Sequence, residues 1–241
     1  MNVTAILVHG AWADASSWSK VIIQLQAKGV EVYGVQLPLT SLKDDIEATR
    51  RCIKAVTAGP VVLVGHSYGG AVITGAGLGE QKVQALVYIS AFGPDAGENL
   101  DSLSKQGPAS PGAAAISPDA EGFLWIGREK FREAFAADAT ESEAYVMAAV
   151  QRPLRVSCFV DRSEAPAWKT VPSWYLIATN DMMISPQAQL FMADRMGATI
   201  KQVPSSHAVM ISYAQAVTDV IMLAVNAVDA ARPRLGCESP A

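Results

Sequence analysis

Charged residues, basic stretches and long apolar runs are all scarce in this sequence. Only 17% of its 241 residues are charged and the formal net charge is −4, so it lacks the basic surface that attracts nucleic acid or an anionic membrane. No uninterrupted apolar run approaches the roughly 20 residues that cross a bilayer. These absences argue against a nucleic-acid partner and a membrane span, and we expect a small-molecule partner instead.

Cysteine is limited to three scattered residues, Cys52, Cys158 and Cys237. None has the spacing of a metal site or of a Cys-x-x-Cys pair, so we predict free thiols, no bound metal and a reducing compartment. The first residues enter a strand-like run without a preceding basic region, which predicts the absence of a secretory signal. The cytoplasm is therefore the expected location.

Half of the residues are apolar, which is enough for a globular chain with a sizeable core. Segments with helical periodicity alternate with short apolar runs that are typical of buried strands. The predicted strands begin at Val3, Val30, Pro60, Val83, Ser173 and Thr199. This alternation predicts an α/β fold with a mainly parallel, six-stranded sheet.

The alternation is interrupted between the fourth and fifth predicted strands. Residues 93–120 are rich in Gly, Pro, Ser and Ala, and residues 128–135 and 141–150 have helical patterns. A structureless loop of this size is improbable in a compact domain, so we predict a small helical insertion without strands. The expected division is a core of residues 1–92 and 172–231, a helical cap of residues 93–171 and a flexible tail of residues 232–241.

A Gly-x-Ser-x-Gly motif at residues 65–69 directly follows the third predicted strand and precedes a small-residue helix. Strand, sharp turn and helix are the context of a nucleophile elbow, in which the serine hydroxyl stands clear of the sheet. Side chains at Gly65 and Gly69 are expected to collide with neighbouring backbone. Ser67 is therefore the predicted nucleophile.

A serine hydroxyl needs a base within hydrogen-bond reach and an acid that orients the base. The chain has three histidines. His9 ends the first strand, and His66 lies beside Ser67 with its side chain expected to point away from the hydroxyl. His207 follows the last strand, at the sheet edge where the carboxyl ends of parallel strands converge, and it is the predicted base.

Two aspartates are candidates for the acid. Asp181 ends the fifth predicted strand, next to the one that precedes His207, and the order Ser, Asp, His favours it. Asp95 also follows a strand, but the Pro-Asp-Ala-Gly sequence around it is typical of a turn.

The developing oxyanion needs N–H donors, and the residue after the nucleophile, Tyr68, supplies one. The loop after the first strand supplies the other, from Ala11 or from Trp12. An apolar substrate pocket is predicted on less specific grounds, since each of its residues suits plain packing equally well. Its candidates are Trp12, Phe123, Trp125, Met182 and Met183, with Trp168 beside them.

Four motifs together resemble a known superfamily. Val-His-Gly-Ala-Trp at residues 8–12, Gly-His-Ser-Tyr-Gly-Gly at 65–70, Thr-Asn-Asp at 179–181 and Ser-Ser-His at 205–207 are similar to α/β-hydrolase motifs. Within that superfamily the chain resembles small bacterial esterase-like hydrolases related to plant methyl-ester esterases and hydroxynitrile lyases. The resemblance covers about residues 3–230. It implies helices on both sheet faces and a cap at residues 93–171.

The resemblance also implies roles for individual residues. Ser67, Asp181 and His207 correspond to the nucleophile, acid and base, and Ala11 and Tyr68 to the oxyanion donors. Hydroxynitrile lyases typically have a lysine after the catalytic histidine, whereas Ala208 follows His207 here. Cyanohydrin cleavage is therefore not expected. A serine nucleophile also argues against haloalkane dehalogenase and epoxide hydrolase chemistry, which use a carboxylate.

The sequence thus predicts a cofactor-free serine hydrolase that cleaves small or medium apolar carboxylic esters through an acyl-enzyme on Ser67. C–C bond hydrolysis, a cofactor-free peroxidase-like activity and lactone hydrolysis use the same fold and stay open as alternatives. A ligand-binding protein with little turnover is an alternative from another class. A homodimer and a monomer are both compatible with the sequence.

Overall fold

A computed structural model describes residues 2–56 and 59–231 of the chain. Nine strands form among these residues: β1 (Thr4–Val8), β2 (Glu31–Val35), β3 (Val61–His66), β4 (Val83–Ile89), β5 (Ile116–Pro118), β6 (Phe123–Ile126), β7 (Leu154–Arg155), β8 (Ser173–Ala178) and β9 (Thr199–Val203). Six of them form one sheet in the order β2-β1-β3-β4-β8-β9, and every neighbouring pair in it is parallel. The predicted six-stranded sheet is confirmed.

Helices cover both faces of this sheet. The described residues form α1 (Ser19–Ala27), α2 (Leu42–Ala55), α3 (Tyr68–Ala76), α4 (Leu100–Ser104), α5 (Phe131–Phe135), α6 (Glu141–Val150), α7 (Ser157–Val160), α8 (Pro186–Arg195), α9 (Val209–Ser212) and α10 (Ala214–Ala230). One face packs against α1 and α10, and the other against α2, α3 and α8. None of the described helices is long and apolar enough to cross a membrane.

The inner strands β1, β3 and β4 are apolar on both sides because both sides are covered, whereas the edge strands β2 and β9 are partly exposed. In β1, Ala5 and Leu7 belong to the cluster under α1 and α10, whereas Ile6 and Val8 belong to the cluster under α2 and α3. The same alternation runs through β3 and β4. The nearly continuous apolar runs of the sequence follow directly from this double burial.

The strand order fixes where a crevice opens. The chain moves from β1 outward to β2 and then returns to the opposite side of β1 to form β3. Loops leaving the carboxyl ends of two strands diverge at such a switch point, which is the usual ligand position in open α/β sheets. Residues 9–12 follow β1 here and Ser67 follows β3, so both predicted parts of the oxyanion hole lie at this point.

The segment between β4 and β8, residues 93–171, is called the inserted segment below. Helical patterns were predicted at 128–135 and 141–150. A short 3-10 helix at 128–130 leads into α5 at 131–135, and α6 covers 141–150. The prediction of an insertion without strands was wrong, because β5, β6 and β7 form a three-stranded antiparallel sheet. These strands have two to four residues each, too few to produce a period-two pattern in the sequence. The boundary between core and cap stays a prediction.

The final helix is interrupted. The apolar sequence of residues 208–228 predicts one long helix, but Tyr213 separates α9 from α10 with φ −125° and ψ 42°. The apolar pattern continues through this break, so periodicity alone does not reveal it. The predicted flexible tail, residues 232–241, lies outside the described residues together with Cys237, while Cys52 and Cys158 are free thiols.

Candidate active site

Ser67 occupies a strained turn between β3 and α3. Its φ of 53° and ψ of −122° are unfavourable for a residue with a side chain, and neighbouring structure must hold them. A Cβ at Gly65 would lie 2.5 Å from the Gly69 carbonyl oxygen, and one at Gly69 would lie 2.5 Å from that of Val8. Both glycines are required by close backbone approach, as the sequence predicted.

His207 and Asp181 form a buried pair. His207 Nδ1 lies 2.7 Å from Asp181 Oδ2, and both side chains are fully buried. An ionised carboxylate can only accept, so Nδ1 carries the hydrogen and Nε2 is the free nitrogen. Nε2 is buried and has no hydrogen-bond partner among the described residues. The imidazole is therefore in the tautomer that can accept a proton through Nε2.

Asp181 is itself held in place by three further donors. Its Oδ1 accepts the backbone N–H groups of Met183 at 2.7 Å and Ile184 at 3.0 Å. Its Oδ2 accepts Gln189 Nε2 at 2.8 Å as well as the imidazole. Gln189, on α8, is fully buried and also accepts the Ala178 N–H at the end of β8. The sequence did not single out Gln189, since a buried glutamine in a helix has no motif.

The alternative acid, Asp95, points elsewhere. Its Oδ1 lies 2.6 Å from Lys169 Nζ, and this hydrogen bond holds the pKa of Asp95 below its usual value. Asp181 is thus the carboxylate that contacts His207, as the order of residues favoured.

The other two histidines have structural contacts. His9 Nδ1 donates to the Gly10 carbonyl at 2.8 Å and its Nε2 accepts the Leu37 N–H at 3.1 Å. Burial lowers the pKa of His9 to about 4, so it is neutral near pH 7. His66 Nε2 donates to the His207 carbonyl at 2.9 Å, and burial followed by the neighbouring His207 holds its pKa well below 6.5.

This His66 bond joins the elbow to the His207 loop. The ring centroids of His66 and His207 lie 4.7 Å apart, and the ring centroid of Phe135 lies 4.9 Å from that of His207. No hydrogen bond joins Ser67 Oγ to His207 Nε2 among the described residues. Bonds of this kind are often long in an empty site and shorten when substrate binds.

Two backbone N–H groups at the serine elbow and the loop after β1 have no hydrogen-bond acceptor among the described residues. Tyr68 is the first residue of α3, where an N–H has no acceptor within its helix. Ala11 N makes no hydrogen bond within the described part of the chain. The Trp12 N–H, the other candidate, donates to the Arg152 carbonyl at 3.0 Å, and Trp12 Nε1 donates to that of Leu124 at 2.8 Å. Ala11 is therefore the donor that is left free.

The side chain of Tyr68 is fixed at its far end. Its hydroxyl donates to Asp45 Oδ2 at 2.6 Å, and Asp45 Oδ1 accepts the Leu39 N–H at 2.8 Å. Burial raises the pKa of Asp45 to about 6, although the two hydrogen bonds oppose the shift. Asp45 therefore anchors Tyr68, the residue after Ser67, whereas its sequence position predicts only a favourable charge at the amino-terminal end of α2.

A cavity of about 370 Å³ opens above Ser67. Its surface is mostly apolar and comes from both the sheet loops and the inserted segment. The large apolar side chains among its lining residues are Trp12, Phe92, Leu100, Ile116, Phe159, Met183 and Ile184. Phe92 lies three residues after the end of β4, and this place near a strand end is the one signal for it in the sequence.

Only part of the predicted pocket lines this cavity. Trp12 and Met183 line it, whereas Phe123, Trp125 and Met182 do not. Phe123 packs under the Arg155 guanidinium, and Trp125 is 37% exposed and donates to Asp119. Both belong to β6, whose position in the small sheet could not be foreseen.

The last two pocket candidates, Met182 and Trp168, also lie outside this cavity. Met182 borders a separate cleft beside the α5 region, and Trp168 is buried against Lys169 and Arg195. Within residues 2–56 and 59–231, no cluster of three or more His, Cys, Asp or Glu side chains is arranged to hold a metal ion.

A parallel sheet with helices on both faces, a strained serine elbow and a buried Asp–His pair together define a hydrolase-type fold and site. Residues 5–220 match the Alpha/beta hydrolase family, and the chain belongs to that family. The resemblance inferred from the four sequence motifs is confirmed.

Individual relatives are similar over different shares of the chain. The Carbendazim hydrolyzing esterase of Nocardioides sp. (strain SG-4G) is 36% identical over 110 residues, which are 41% of this chain and 46% of that protein. Methylesterase 8 of Arabidopsis thaliana is 26% identical over 216 residues, covering 78% of this chain and 76% of the relative. The matched region thus spans less than half of the first relative.

Solved structures share the fold. The structure of a pyrethroid hydrolase from Sphingobium faniae JZ-2 has a TM-score of 0.80 over 95% of this chain and 98% of its own. The two sequences are 22% identical, so this similarity concerns the fold alone.

Proposed function

We propose that this protein is a cofactor-free serine hydrolase that cleaves carboxylic esters through an acyl-enzyme on Ser67. The observation that carries the proposal is the buried His207–Asp181 pair, 2.7 Å apart, with an unpartnered Nε2 beside the serine elbow. A serine becomes nucleophilic at neutral pH when such a base takes its proton. The esterase names of two relatives support the same reaction class.

The mechanism assigns one task to each group. Ser67 Oγ attacks the ester carbonyl carbon, and its proton passes to His207 Nε2. Asp181 accepts the Nδ1 hydrogen throughout, which keeps Nε2 unprotonated before attack and stabilises the imidazolium afterwards. The N–H groups of Ala11 and Tyr68 donate to the oxygen that becomes negative.

The second half of the reaction uses the same residues. His207 gives its proton to the departing alcohol, which leaves the acyl group on Ser67. Water activated by His207 Nε2 then attacks the acyl carbonyl, and the carboxylic acid is released. No cofactor takes part in either half.

The cavity supports a small or medium apolar substrate. Its volume of about 370 Å³ is near the lower end for small-molecule sites, and its apolar walls favour aliphatic or aromatic groups over charged ones. Lactones satisfy the same mechanism, because ring opening only keeps the alcohol attached to the acyl group.

A panel of p-nitrophenyl esters of increasing acyl length, with aliphatic lactones beside it, tests the proposal. We expect turnover of the shorter esters with a fall in rate once the acyl chain exceeds the cavity. The Ser67→Ala variant should lose at least about 10³-fold in kcat, since the nucleophile is gone and only binding remains. Equal rates for the variant and the wild type would contradict the proposal. Binding of these esters without turnover would favour a ligand-binding role.

A further inference from the structure

The carboxylate of Asp138 holds the loop that carries His207. Asp138 lies just after α5 in the inserted segment. Ser205 Oγ and the Ser206 N–H donate to its Oδ2, each at 2.9 Å. Its Oδ1 accepts the hydroxyls of Ser206 and of Ser212, the latter at 2.9 Å. Four donors from residues 205–212 therefore bond the carboxylate of Asp138.

These donors flank His207 on both sides. Ser205 and Ser206 precede it directly, and Ser212 ends the short helix α9 that follows it. The chain between β9 and α9 has no regular structure of its own, so the backbone position of His207 depends on contacts from outside. The inserted segment adds one more such contact, since the Ala208 N–H donates to the Phe135 carbonyl at 3.0 Å.

As an anion, Asp138 is well suited to hold the loop that carries His207. No lysine or arginine within the described ranges forms an ion pair with it. Burial opposes its ionisation, but hydrogen bonds from Ser206, Ser212 and Ser205 outweigh burial and hold the pKa of Asp138 below its usual value. Bonds from donors to an ionised acceptor are shorter and stronger than neutral ones.

Its task differs from those of the other groups around His207. Asp181 bonds the ring through Nδ1, which fixes the tautomer and the ring orientation. His66 bonds the His207 carbonyl from the elbow side. Among the described residues, Asp138 makes no hydrogen bond to the His207 ring or to the elbow, and bonds residues before and after the histidine instead.

We propose that Asp138 is a positioning residue, which fixes the His207 loop against the inserted segment and thereby sets the reach of His207 Nε2 to Ser67. This inference rests on the proposed function, because a position for His207 matters only if His207 is the base. A displacement of about 1 Å in a catalytic group can reduce a rate on the order of 100-fold. Substrate binding, in contrast, depends on cavity residues that Asp138 does not contact.

The test compares Asp138→Asn with a matched control, Asp119→Asn. Asp119 lies in the same inserted segment and accepts hydrogen bonds from Glu121 N, Phe123 N and Trp125 Nε1, but within the described ranges it has no hydrogen bond to the His207 loop. For Asp138→Asn we expect kcat on a p-nitrophenyl ester to fall on the order of 10- to 100-fold with KM nearly unchanged. The rate of covalent labelling by a fluorophosphonate should fall in parallel. Asp119→Asn should keep both rates.

The outcomes separate this inference from the proposed function. If the wild type neither hydrolyses esters nor reacts with the fluorophosphonate, the proposed function fails. If the wild type reacts and a folded Asp138→Asn variant reacts equally fast, only the role of Asp138 is overturned.

A second variant covers the case in which Asp138→Asn does not fold. Ser212→Ala removes one exposed donor of the four and should lower kcat by a smaller factor, again at constant KM. Unchanged kcat in Ser212→Ala would then overturn the role of Asp138. Where both variants fold, their effects should be less than additive in the double variant, because both act through the same contact.

Discussion

Gly10 lies where the loop after β1 approaches the serine elbow, the two segments that supply the proposed oxyanion donors. A Cβ at this position would lie 2.8 Å from Ser67 Cβ and 3.0 Å from the His66 carbonyl oxygen. The Gly10→Ala substitution must therefore displace the Ala11 N–H or the elbow. We expect kcat/KM for an ester to fall on the order of 100-fold, the effect typical of losing one oxyanion donor. Steady-state kinetics and a melting curve on the same sample measure it.

Gly127 provides the matched control. Its φ is −55°, and a Cβ there would have Ala115 O as its only neighbour within 4 Å among the described residues, at an ordinary 3.7 Å. Gly127→Ala should keep wild-type kcat/KM. A Gly10→Ala enzyme as active as Gly127→Ala would mean that the loop after β1 does not form the oxyanion hole.

His9 makes stability depend on pH. Its pKa is lowered from 6.5 to about 4 in the folded protein, so the unfolded chain binds the extra proton first as the pH falls. The stability that neutral His9 contributes is present above pH 6.5 and is lost as the pH falls towards 4. Over this pH range the free energy of unfolding falls by roughly 3 kcal/mol. Burial of His66 acts in the same direction.

The His9→Gln variant tests this dependence through chemical denaturation at pH 7.5 and at pH 4.5. The variant should be less stable than the wild type at pH 7.5, because the bonds to Gly10 and Leu37 are perturbed, yet lose less stability on acidification. Equal losses in the two proteins would show that His9 is not the titrating group.

The sequence singles out the proposed catalytic side chains more readily than the side chains that contact them. Ser67, Asp181 and His207 each follow a strand of the parallel sheet, so their places at one edge can be inferred from strand order. Asp138 bonds residues that lie 67 to 74 positions further along the chain. Gln189 bonds Asp181, which lies 8 positions before it. Nothing in a single sequence marks such a pairing.

At the level of elements, α6 begins with a capping box. Thr140 Oγ1 accepts the Glu143 N–H at 3.2 Å, and Glu143 Oε2 accepts the Thr140 N–H at 3.0 Å. Removing the cap with Thr140→Ala should lower stability by about 1 kcal/mol. For a chain of this length that corresponds to a Tm lower by about 2–4 °C.

Ser142, two residues further on, is exposed and its side chain makes no hydrogen bond within the described ranges. Ser142→Ala should leave the Tm unchanged. If the Thr140→Ala and Ser142→Ala variants have the same Tm, the capping box does not stabilise the inserted segment.

The elements of the main sheet and those of the inserted segment differ in how far sequence reveals them. Strands β1, β3 and β4 are buried on both faces and five to seven residues long, so their apolar runs are unmistakable. Strands β5, β6 and β7 are short and partly exposed, and they depend on one another for hydrogen bonds. Their existence follows from tertiary pairing, and so does the displacement of Phe123 and Trp125 from the cavity.

On the scale of the whole molecule, the sheet and the inserted segment build one site together. The sheet loops carry Ser67, Asp181 and His207, while the inserted segment supplies Leu100 and Phe159 to the cavity walls. Fold and family could be predicted because four motifs lie at the carboxyl ends of β1, β3, β8 and β9. The cavity could not, because nine of its sixteen lining residues belong to the inserted segment, whose structure was predicted least well.

The central claim is that Ser67 is an activated nucleophile, and intact mass after incubation with a fluorophosphonate tests it most directly. These reagents phosphonylate a serine that a neighbouring base and an oxyanion hole activate. The account predicts a single adduct on the wild type and none on a folded Ser67→Ala variant. A small sulfonyl fluoride, used in parallel, reaches Ser67 even if the inserted segment restricts access. A folded wild-type protein that remains unlabelled by both reagents, or a Ser67→Ala variant labelled as fully as the wild type, would contradict the account.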